Sequence, residues 1–248
     1  AISLASFEKS LPVTCLPEFA GDGELCIRGL YHPLLADPVP NSIDAKRPVL
    51  LTGSNASGKS TFLKAAALCA ILAQTIGFCP AESYQGVHYR IRSSMALRDN
   101  ILNGESYFMV EIRSLKRIAD LSADGGRKVL CFVDEVLRGT NTVERIAAST
   151  EILRTLAERG VLCFAATHDI ELTKLLEDQY DNYHFEEELK DGDVVFSYEL
   201  YPGRATTRNA IRLLDSIGFD REVTRRAAKR AEEFEKTGKW MPEEAIKL

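Results

Sequence analysis

Residues 48–62 read PVLLTGSNASGKSTF, and this stretch decides the fold. Its central segment, from Gly53 to Ser60, matches the pattern G-x-x-x-x-G-K-[ST] at every fixed position. A short apolar run precedes the segment, and apolar residues at helical spacing predict a helix over 59–74 after it. Backbone N–H groups of such a loop, together with the helix N-terminus, bind phosphate oxygens. The stretch therefore predicts a phosphate-binding loop between a buried strand and a helix.

The side chains of this phosphate loop (residues 53–60) suit a nucleoside triphosphate bound with magnesium. Lys59 brings a full positive charge close to the transferred phosphoryl group, and Ser60 offers its hydroxyl to Mg²⁺. We therefore expect ATP and Mg²⁺ as cofactors, with Lys59 contributing to catalysis as well as to binding. The predicted nucleotide-binding residues of the loop are Gly53, Ser54, Asn55, Ala56, Ser57, Gly58, Lys59 and Ser60.

Two further apolar runs end in polar residues that suit ATP hydrolysis. KVLCFVDE (128–135) closes with Asp134 and Glu135, and GVLCFAATH (160–168) closes with His168. Continuous apolar runs indicate parallel strands buried on both faces, and ligands bind at the carboxyl edge of such sheets. We expect Asp134 to hold the hydration shell of Mg²⁺. We expect Glu135 to orient and deprotonate the attacking water, and His168 to sense the γ-phosphate.

The order of these residues also distinguishes subclasses of ATPase. ABC-type ATPases place the acid directly after the Mg²⁺ carboxylate and a histidine at the end of the next strand, and they hydrolyse ATP between two subunits. Such a dimer needs a second anion site, offered in trans. Residues 103–106 precede a helix predicted over 106–121, and Ser106 supplies a hydroxyl beside free helix N–H groups. Ser106 is the candidate for this site in trans, and a simple helix N-cap is the alternative.

The composition of the 248-residue chain argues against some classes of protein. Its formal charge is −5 and its pI about 5.5, whereas surfaces that bind nucleic acid unaided usually carry a basic excess. The six cysteines include no C-x-x-C pair, which favours reduced structural thiols in a cytoplasmic protein. No apolar stretch reaches the ~18 residues of a membrane span, so we expect no membrane contact. The chain begins with Ala1 rather than Met, and we interpret it as a fragment of a longer protein.

The remaining patterns predict an α/β fold: a mostly parallel sheet flanked by helices, with a small antiparallel β part and a C-terminal helical tail. We divide the chain into a linker or tail of a preceding domain (1–24), an ATPase domain (25–219) and a helical tail (220–248). Further predicted elements are a small antiparallel sheet beginning at 25–35, a loop at 36–48, helices at 143–158, 170–178, 207–217 and 220–237, and a hairpin formed by 183–189 and 193–201.

Four segments together resemble the ATPase domain of the MutS mismatch-repair family. They are LLTGSNASGKSTFL, ALRDNILNGESYFMVEI, LCFVDEVLRGTNT and FAATHDIELT, and the resemblance covers about residues 25–236. It implies a P-loop NTPase of the ABC-ATPase type that works as a homodimer with two composite ATP sites. It also implies that DNA-clamping domains N-terminal to this chain provide the contact with DNA.

The resemblance adds roles for particular residues. Asn55 and Thr61 match positions that hold phosphates or metal. Asn41 matches a residue that approaches the adenine, and Tyr198 matches an aromatic residue or histidine that covers the base; a core tyrosine is the alternative for Tyr198. The last helix, 220–237, matches a dimer-packing tail, and a solvated helix is the alternative.

The sequence departs from the family pattern where Ala56-Ser57 replace Met-Gly, where Leu137 replaces a small residue and where Arg145 replaces a glycine. These changes indicate a divergent MutS-related branch, and the leading hypothesis is a Mg²⁺-dependent ATPase whose dimer closure moves a DNA clamp. One alternative is an ABC-type ATPase serving another DNA-associated or membrane-linked machine. Another is a nucleotide-dependent dimerisation module with negligible turnover.

Overall fold

The computed structural model describes residues 2–95, 107–122, 126–190, 193–205, 211, 214, 215 and 217–240. Within these residues it contains two sheets and six helices, which confirms the α/β class. The helices are α1 (Ile2–Ser10), α2 (Lys59–Thr75), α3 (Tyr107–Ser122), α4 (Thr142–Glu158), α5 (Glu171–Leu175) and α6 (Arg221–Thr237). The strands are β1 (Pro17–Phe19), β2 (Leu25–Leu30), β3 (Asn41–Ala45), β4 (Val49–Thr52), β5 (Ser83–Gly86), β6 (Arg90–Ser94), β7 (Val129–Asp134), β8 (Leu162–Ala166), β9 (Asp181–Lys190) and β10 (Asp193–Pro202).

The larger sheet brings the ends of the predicted strands to one edge. Its strand order is β10-β9-β4-β8-β7-β6, and β4 pairs in parallel with both β8 and β9, while β7 pairs in parallel with β8 and β6. Ala166 is in register with Leu51 on one side and with Asp134 on the other. The segments that follow β4, β7 and β8 therefore leave the sheet side by side.

Helices on both faces explain why the central strands are apolar throughout. Leu51, Phe132 and Phe164 lie in one buried cluster with residues of α2. Their neighbours along the strands, including Leu50 and Val133, lie in a second cluster with residues of α3, α4 and α5. Successive side chains of a strand point to opposite faces, so a strand covered on both faces needs apolar residues at every position.

The smaller sheet corrects one sequence-based prediction. Its order is β1-β5-β2-β3, with β2 antiparallel to both β3 and β5, as expected for a sheet that begins near residue 25. The prediction of a loop over 36–48 was wrong, because this range contains β3. The prolines of that range flank the strand rather than entering it, and Ile43 and Ala45 alternate into the core. Residues 1–24, predicted to be a linker or the tail of a preceding domain, contain α1 and β1, and β1 pairs with β5.

Contacts divide the chain into two units. One comprises Ala1–Glu186 with Tyr198–Ala205, and the other comprises Glu187–Ser197 with Thr206–Leu248. In the second unit α6 confirms the helix predicted over 220–237, and its N-cap Asp220 accepts a hydrogen bond from Glu222 N–H. Most of the helix predicted over 207–217 lies outside the described residues. The six cysteines are free thiols, and no helix among the described residues is long and apolar enough to cross a membrane.

Candidate nucleotide site

The backbone of the phosphate loop requires glycine at both of its fixed glycine positions. Gly53 has a φ of 141°, and a Cβ there would lie 2.8 Å from the carbonyl oxygen of Phe185. Gly58 has a φ of 115°, and a Cβ there would lie 3.4 Å from the ring of Tyr198. Ala56 also adopts a left-handed conformation, with a φ of 65°. The loop thus turns sharply between β4 and α2 with little room for side chains.

The charged group of the loop lies inside it. The side chain of Lys59 is buried, and its Nζ donates hydrogen bonds of 2.7 Å to the carbonyl oxygens of Gly53 and Ser54. Gly58, the N-cap residue of α2, supplies no side-chain cap, which leaves the positive end of the helix facing the loop. These are the features that bind an anion at the start of a helix.

Ser57 gives an independent indication that the loop fits a ligand. Its hydroxyl is fully buried in the loop and has no hydrogen-bond partner among the described residues. A buried hydroxyl without a partner is costly, so it indicates a site whose partner is a bound group. The loop therefore fits the phosphates of a nucleotide on the chemistry of its own donors.

One cavity beside this loop collects most of the predicted catalytic residues. This loop cavity has a volume of about 140 Å³, and its lining includes Lys59, Ser60, Glu135 and His168. Its other lining residues are Asn55, Ala56, Ser57, Gly58, Thr61 and Tyr198. The structure therefore brings the phosphate loop, the acid after β7 and the histidine after β8 together around one space.

The two predicted Mg²⁺ ligands are an alcohol and a carboxylate, which are hard oxygen donors of the kind that Mg²⁺ prefers. Ser60 lines the loop cavity, whereas Asp134 lies at the end of β7 and does not line it. Among the described residues no group of three or more His, Cys, Asp and Glu side chains is arranged for a metal ion. A magnesium site that uses one or two protein ligands and takes the others from phosphate and water fits these residues.

Glu135 is held in the site by the end of β8 and by side chains that follow β7 and β8. Its φ is 60°, and its backbone N–H donates to Ala166 O at 3.0 Å, across the end of β8. Its Oε1 lies 2.9 Å from His168 Nε2, and its Oε2 accepts from Arg138 Nε at 2.9 Å. Contacts at both carboxylate oxygens fix the orientation of the Glu135 side chain.

Glu111 on α3 supports the loop after β7, and sequence reasoning missed it. Its side chain is almost fully buried, and its Oε1 accepts a 2.5 Å hydrogen bond from Leu137 N–H. Burial raises the pKa of Glu111, and the N–H groups of Leu137 and Arg138 offset part of that effect. Leu137 needs the support because it has a φ of 56° and no glycine to accommodate it. The signal in the sequence is a lone acid inside the apolar pattern of a predicted helix.

A second polar cavity adjoins the loop cavity, and it contains the departure noted at Arg145. This side cavity has a volume of about 170 Å³ and is lined by residues that include Asn55, Glu135 and His168. Arg145 and Asp169 also line it and form an ion pair there. The side chain of Arg145, one of the departures from the family pattern, thus pairs with the acid that follows His168.

A larger cavity also borders the phosphate loop. It has a volume of about 440 Å³ and a largely apolar lining that includes Leu35, Pro38, Val39, Phe62 and Tyr198. It also borders Ala56, Gly58 and Thr61, so it is continuous with the phosphate loop. An apolar cavity with a few polar groups is typical of a site for an aromatic ring.

Asn41 and Tyr198, the two predicted adenine contacts, both line this large cavity. Asn41 Nδ2 donates to Tyr198 O at 2.9 Å, and Asn41 Oδ1 accepts from Leu200 N–H at 2.7 Å. These bonds tie β3 to β10 and fix the position of Tyr198, whose φ is 57°. The side chain of Tyr198 is exposed, which is consistent with a ring that stacks on a ligand rather than one that fills the core. Ser106, the predicted residue in trans, lies outside the described residues.

Comparison with known proteins identifies the family. Residues 49–235 match the model of MutS domain V. The chain is 35% identical over 212 residues to the DNA mismatch repair protein MutS of Thermus thermophilus, covering 82% of this chain and 25% of the relative. It is 36% identical over 220 residues to the MutS of Thermus aquaticus, covering 85% of this chain and 26% of the relative.

A third relative extends the match along the chain. The DNA mismatch repair protein MutS of Roseiflexus sp. is 35% identical over 235 residues, which cover 89% of this chain and 21% of the relative. The chain thus spans about a quarter of the length of the relatives that it matches. The matched range contains the phosphate loop, the acid after β7 and the histidine after β8. The chain therefore belongs to the MutS family, within which residues 49–235 correspond to domain V.

Proposed function

We propose that this chain is a Mg²⁺-dependent ATPase domain of the ABC type that hydrolyses ATP to ADP and phosphate. The observation that carries the proposal is the loop cavity, where Lys59 and Ser60 meet Glu135 and His168. A phosphate-binding loop alone indicates binding. A carboxylate within hydrogen-bond distance of a histidine at the same cavity indicates that water can be activated there.

In the proposed reaction the phosphate loop binds and neutralises the phosphates. Its N–H groups and the Lys59 ammonium contact phosphate oxygens, in place of the loop carbonyls that Lys59 contacts in this structure. Ser60 and Asp134 would hold Mg²⁺, which neutralises charge on the β- and γ-phosphates. The adenosine would occupy the large cavity, with the ring of Tyr198 against the base and Asn41 fixing that tyrosine.

Glu135 would orient the attacking water and accept its proton at a carboxylate oxygen. His168 contacts Oε1 of this carboxylate, and the exposed guanidinium of Arg138 contacts Oε2. A carboxylate has about four lone-pair sites, so both contacts leave room for a water. His168 would then link the base to the γ-phosphate, because its ring lies at the same cavity.

We further propose that ATP closes a homodimer and that the closure acts on DNA held by other domains. The relatives carry the name DNA mismatch repair protein, and the chain covers only about a quarter of their length. The formal charge of −5 agrees with DNA contacts that lie outside this chain. In this proposal Ser106 completes the partner's ATP site, and residues 220–248 pack between the subunits.

The test is a pair of variants, Glu135→Gln and Lys59→Ala. We expect Glu135→Gln to retain ATP binding and to lower kcat by about 10²–10⁴-fold, because the amide cannot accept a proton from water. We expect Lys59→Ala to weaken ATP binding by about 100-fold, because a charge-assisted contact with phosphate is lost. Phosphate release and equilibrium binding of a fluorescent ATP analogue provide the two measurements. The exposed Glu151→Gln on α4 is the matched control and should change neither.

Light scattering in the presence of ATP separates the proposal from the nucleotide-dependent dimerisation module. An ATPase engine predicts a dimer that Glu135→Gln traps and that the wild type releases on hydrolysis. A dimer that forms with ATP while phosphate release is the same in wild type and Glu135→Gln would favour the module. The absence of ATP binding in the wild type would contradict both.

A further inference from the structure

The ion pair between Arg145 and Asp169 is distinguished by its geometry. Arg145 Nε donates to Asp169 Oδ2 and Arg145 Nη2 donates to Asp169 Oδ1, each at 2.7 Å. The side chains are only 23% and 11% exposed, respectively. Paired parallel bonds between a guanidinium and a carboxylate fix both direction and distance, which a single contact cannot do.

Arg145, the cation of this pair, belongs to the capped helix α4. Arg145 lies in the first turn of α4, where Asn141 caps the helix by accepting from Glu144 N–H at 3.0 Å. The backbone N–H of Arg145 also donates to Asn141 O at 2.9 Å. Buried Ser149, one turn further along, donates its hydroxyl to Val136 O. The guanidinium is therefore anchored on a capped helix that is fixed to the segment after β7.

The anion stands on the short turn that carries the histidine. Asp169 directly follows His168, and its N–H donates to Thr167 Oγ1 at 3.0 Å. The Thr167 N–H in turn donates to Leu51 O at the end of β4. On the other side, Asp169 O accepts from Leu172 N–H in α5. A contact that fixes the Asp169 carboxylate therefore also restrains the backbone of His168, the residue before it.

A second ion pair of α4, between Arg154 and Asp178, provides a comparison with the Arg145–Asp169 pair. Arg154 on α4 contacts Asp178, which follows α5, through a single 3.2 Å contact, and the Asp178 side chain is 60% exposed. Exposed pairs of this kind contribute little to stability. The Arg145 pair has two bonds, lies closer to the interior and borders the side cavity with Glu135 and His168.

Charge gives the pair a second effect on the site. The hydrogen bond to Asp169 is the main cause that raises the pKa of Arg145, and the charges of Asp169, Glu135 and Glu171 add to it. Arg145 therefore lies within the electrostatic field of Glu135. The Arg145 guanidinium contacts Asp169, whereas Glu135 contacts His168 and Arg138.

We propose that the Arg145–Asp169 ion pair is a positioning element for His168. By fixing the turn after β8 to the start of α4, the pair holds the imidazole against Glu135 while the base binds water. The inference rests on the proposed ATPase function and names a device in this chain at a position where the family pattern has glycine. Both residues act through His168, and neither contacts the nucleotide.

Kinetics of the full chain provide the first test. We expect Asp169→Asn and Arg145→Gln each to lower kcat about 10-fold while the Kd for ATP changes less than about 2-fold, because the phosphate loop is untouched. The kcat of the double variant should be no lower than that of Asp169→Asn alone, because either substitution already breaks the same ion pair. Arg145→Lys keeps the charge but not the paired bonds, and we expect it to be intermediate. Asp178→Asn breaks the pair to Arg154 and is the matched control, with kcat unchanged.

A spectroscopic readout decides the positioning claim without turnover. The chain has four histidines, so the side-chain ¹⁵N signal of His168 can be assigned with a His168→Gln variant. We expect the Nε2 signal to shift in Asp169→Asn and in Arg145→Lys, because the hydrogen bond to Glu135 changes, and to stay in place in Asp178→Asn. Unfolding monitored by circular dichroism verifies that each variant folds.

The outcomes separate the two claims. An Nε2 signal and a kcat that stay at wild-type values in folded Asp169→Asn and Arg145→Lys would overturn the positioning role. A wild type that binds ATP without releasing phosphate would overturn the ATPase proposal. In that case, a shifted Nε2 signal in the two variants would still support the positioning of His168 by this ion pair, and an unshifted one would overturn it.

Discussion

The loops after β4 and β7 leave the same edge of the sheet, but they are held in different ways. The phosphate loop has three positions with a positive φ, and two of them, Gly53 and Gly58, are glycine, while the third is Ala56. The loop after β7 has positive φ values at Glu135 and Leu137, where side chains are present. A left-handed conformation at a non-glycine residue costs about 1–3 kcal/mol and persists only when the surroundings impose it. The first loop therefore relies mainly on its glycines, whereas the second has side chains at both positions and depends on contacts with other elements.

The two kinds of support predict different responses to mutation. In the phosphate loop the sensitive positions should be the glycines, because the backbone itself has no room for a Cβ. In the loop after β7 the sensitive positions should be the partners, above all Glu111, which accepts the hydrogen bond from Leu137 N–H. Unfolding free energies of variants in the two loops therefore test this difference.

The largest effect is expected from Gly53→Ala. The added Cβ would meet Phe185 O at 2.8 Å at a φ of 141°, and these two penalties together should lower the unfolding free energy by about 3 kcal/mol. Gly77→Ala is the matched control, because Gly77 has a φ of 78° and no atom within 4 Å of a Cβ. We expect the control to cost about 1 kcal/mol in urea unfolding. Equal costs in the two variants would contradict a steric requirement for glycine at position 53.

The next effect is expected from Glu111→Ala, which removes the partner of the loop after β7. The buried N–H of Leu137 would lose its acceptor, and we expect a loss of about 2 kcal/mol of unfolding free energy. Glu111→Gln is the matched control, since its amide oxygen can still accept this bond. A Glu111→Ala variant as stable as the wild type would show that the positive φ values after β7 are maintained without this contact.

Glu111 also gives a pH dependence whose sign follows from its burial. Because burial raises the pKa of Glu111, the folded chain binds this proton more tightly than the unfolded chain. Its contribution to the unfolding free energy is therefore fully present below the ordinary pKa of glutamate and declines as pH rises through the raised pKa. Urea unfolding over about pH 4–8 should show that the unfolding free energy of the wild type, minus that of Glu111→Gln, falls as pH rises. If this difference increased with pH, the pKa of Glu111 would not be raised in the folded chain.

The smallest effect is expected from Ser57→Ala in the phosphate loop. The hydroxyl is buried and has no partner among the described residues, so its removal should raise the unfolding free energy in the absence of nucleotide by about 1 kcal/mol. Ser149→Ala is the control, because the Ser149 hydroxyl is equally buried but donates to Val136 O, and its loss should destabilise. A destabilised Ser57→Ala would indicate that the Ser57 hydroxyl has a partner in the unliganded chain.

Secondary structure was predicted best where the pattern is continuous. The buried strands β4, β7 and β8 and the long helices α2, α3 and α4 begin and end within about two residues of their predicted bounds. The strand β3 was missed because three prolines surround it, and composition outweighed the alternation of Ile43 and Ala45. The proline and glycine content of residues 12–23 likewise concealed β1, which is defined by pairing with β5, more than 60 residues away.

The sequence by itself determined the phosphate loop and the placing of Glu135 and His168 at one sheet edge. Glycine spacing, a lysine and the ends of apolar runs are local properties, and parallel strands bring their ends together without further information. Only the tertiary structure showed that Glu111 supports Leu137, that Asn41 fixes Tyr198 and that Arg145 pairs with Asp169. These contacts join residues separated by 24 to 157 positions. The polar residues that form these contacts follow no regular sequence spacing. Only the folded backbone therefore decides which of them meet.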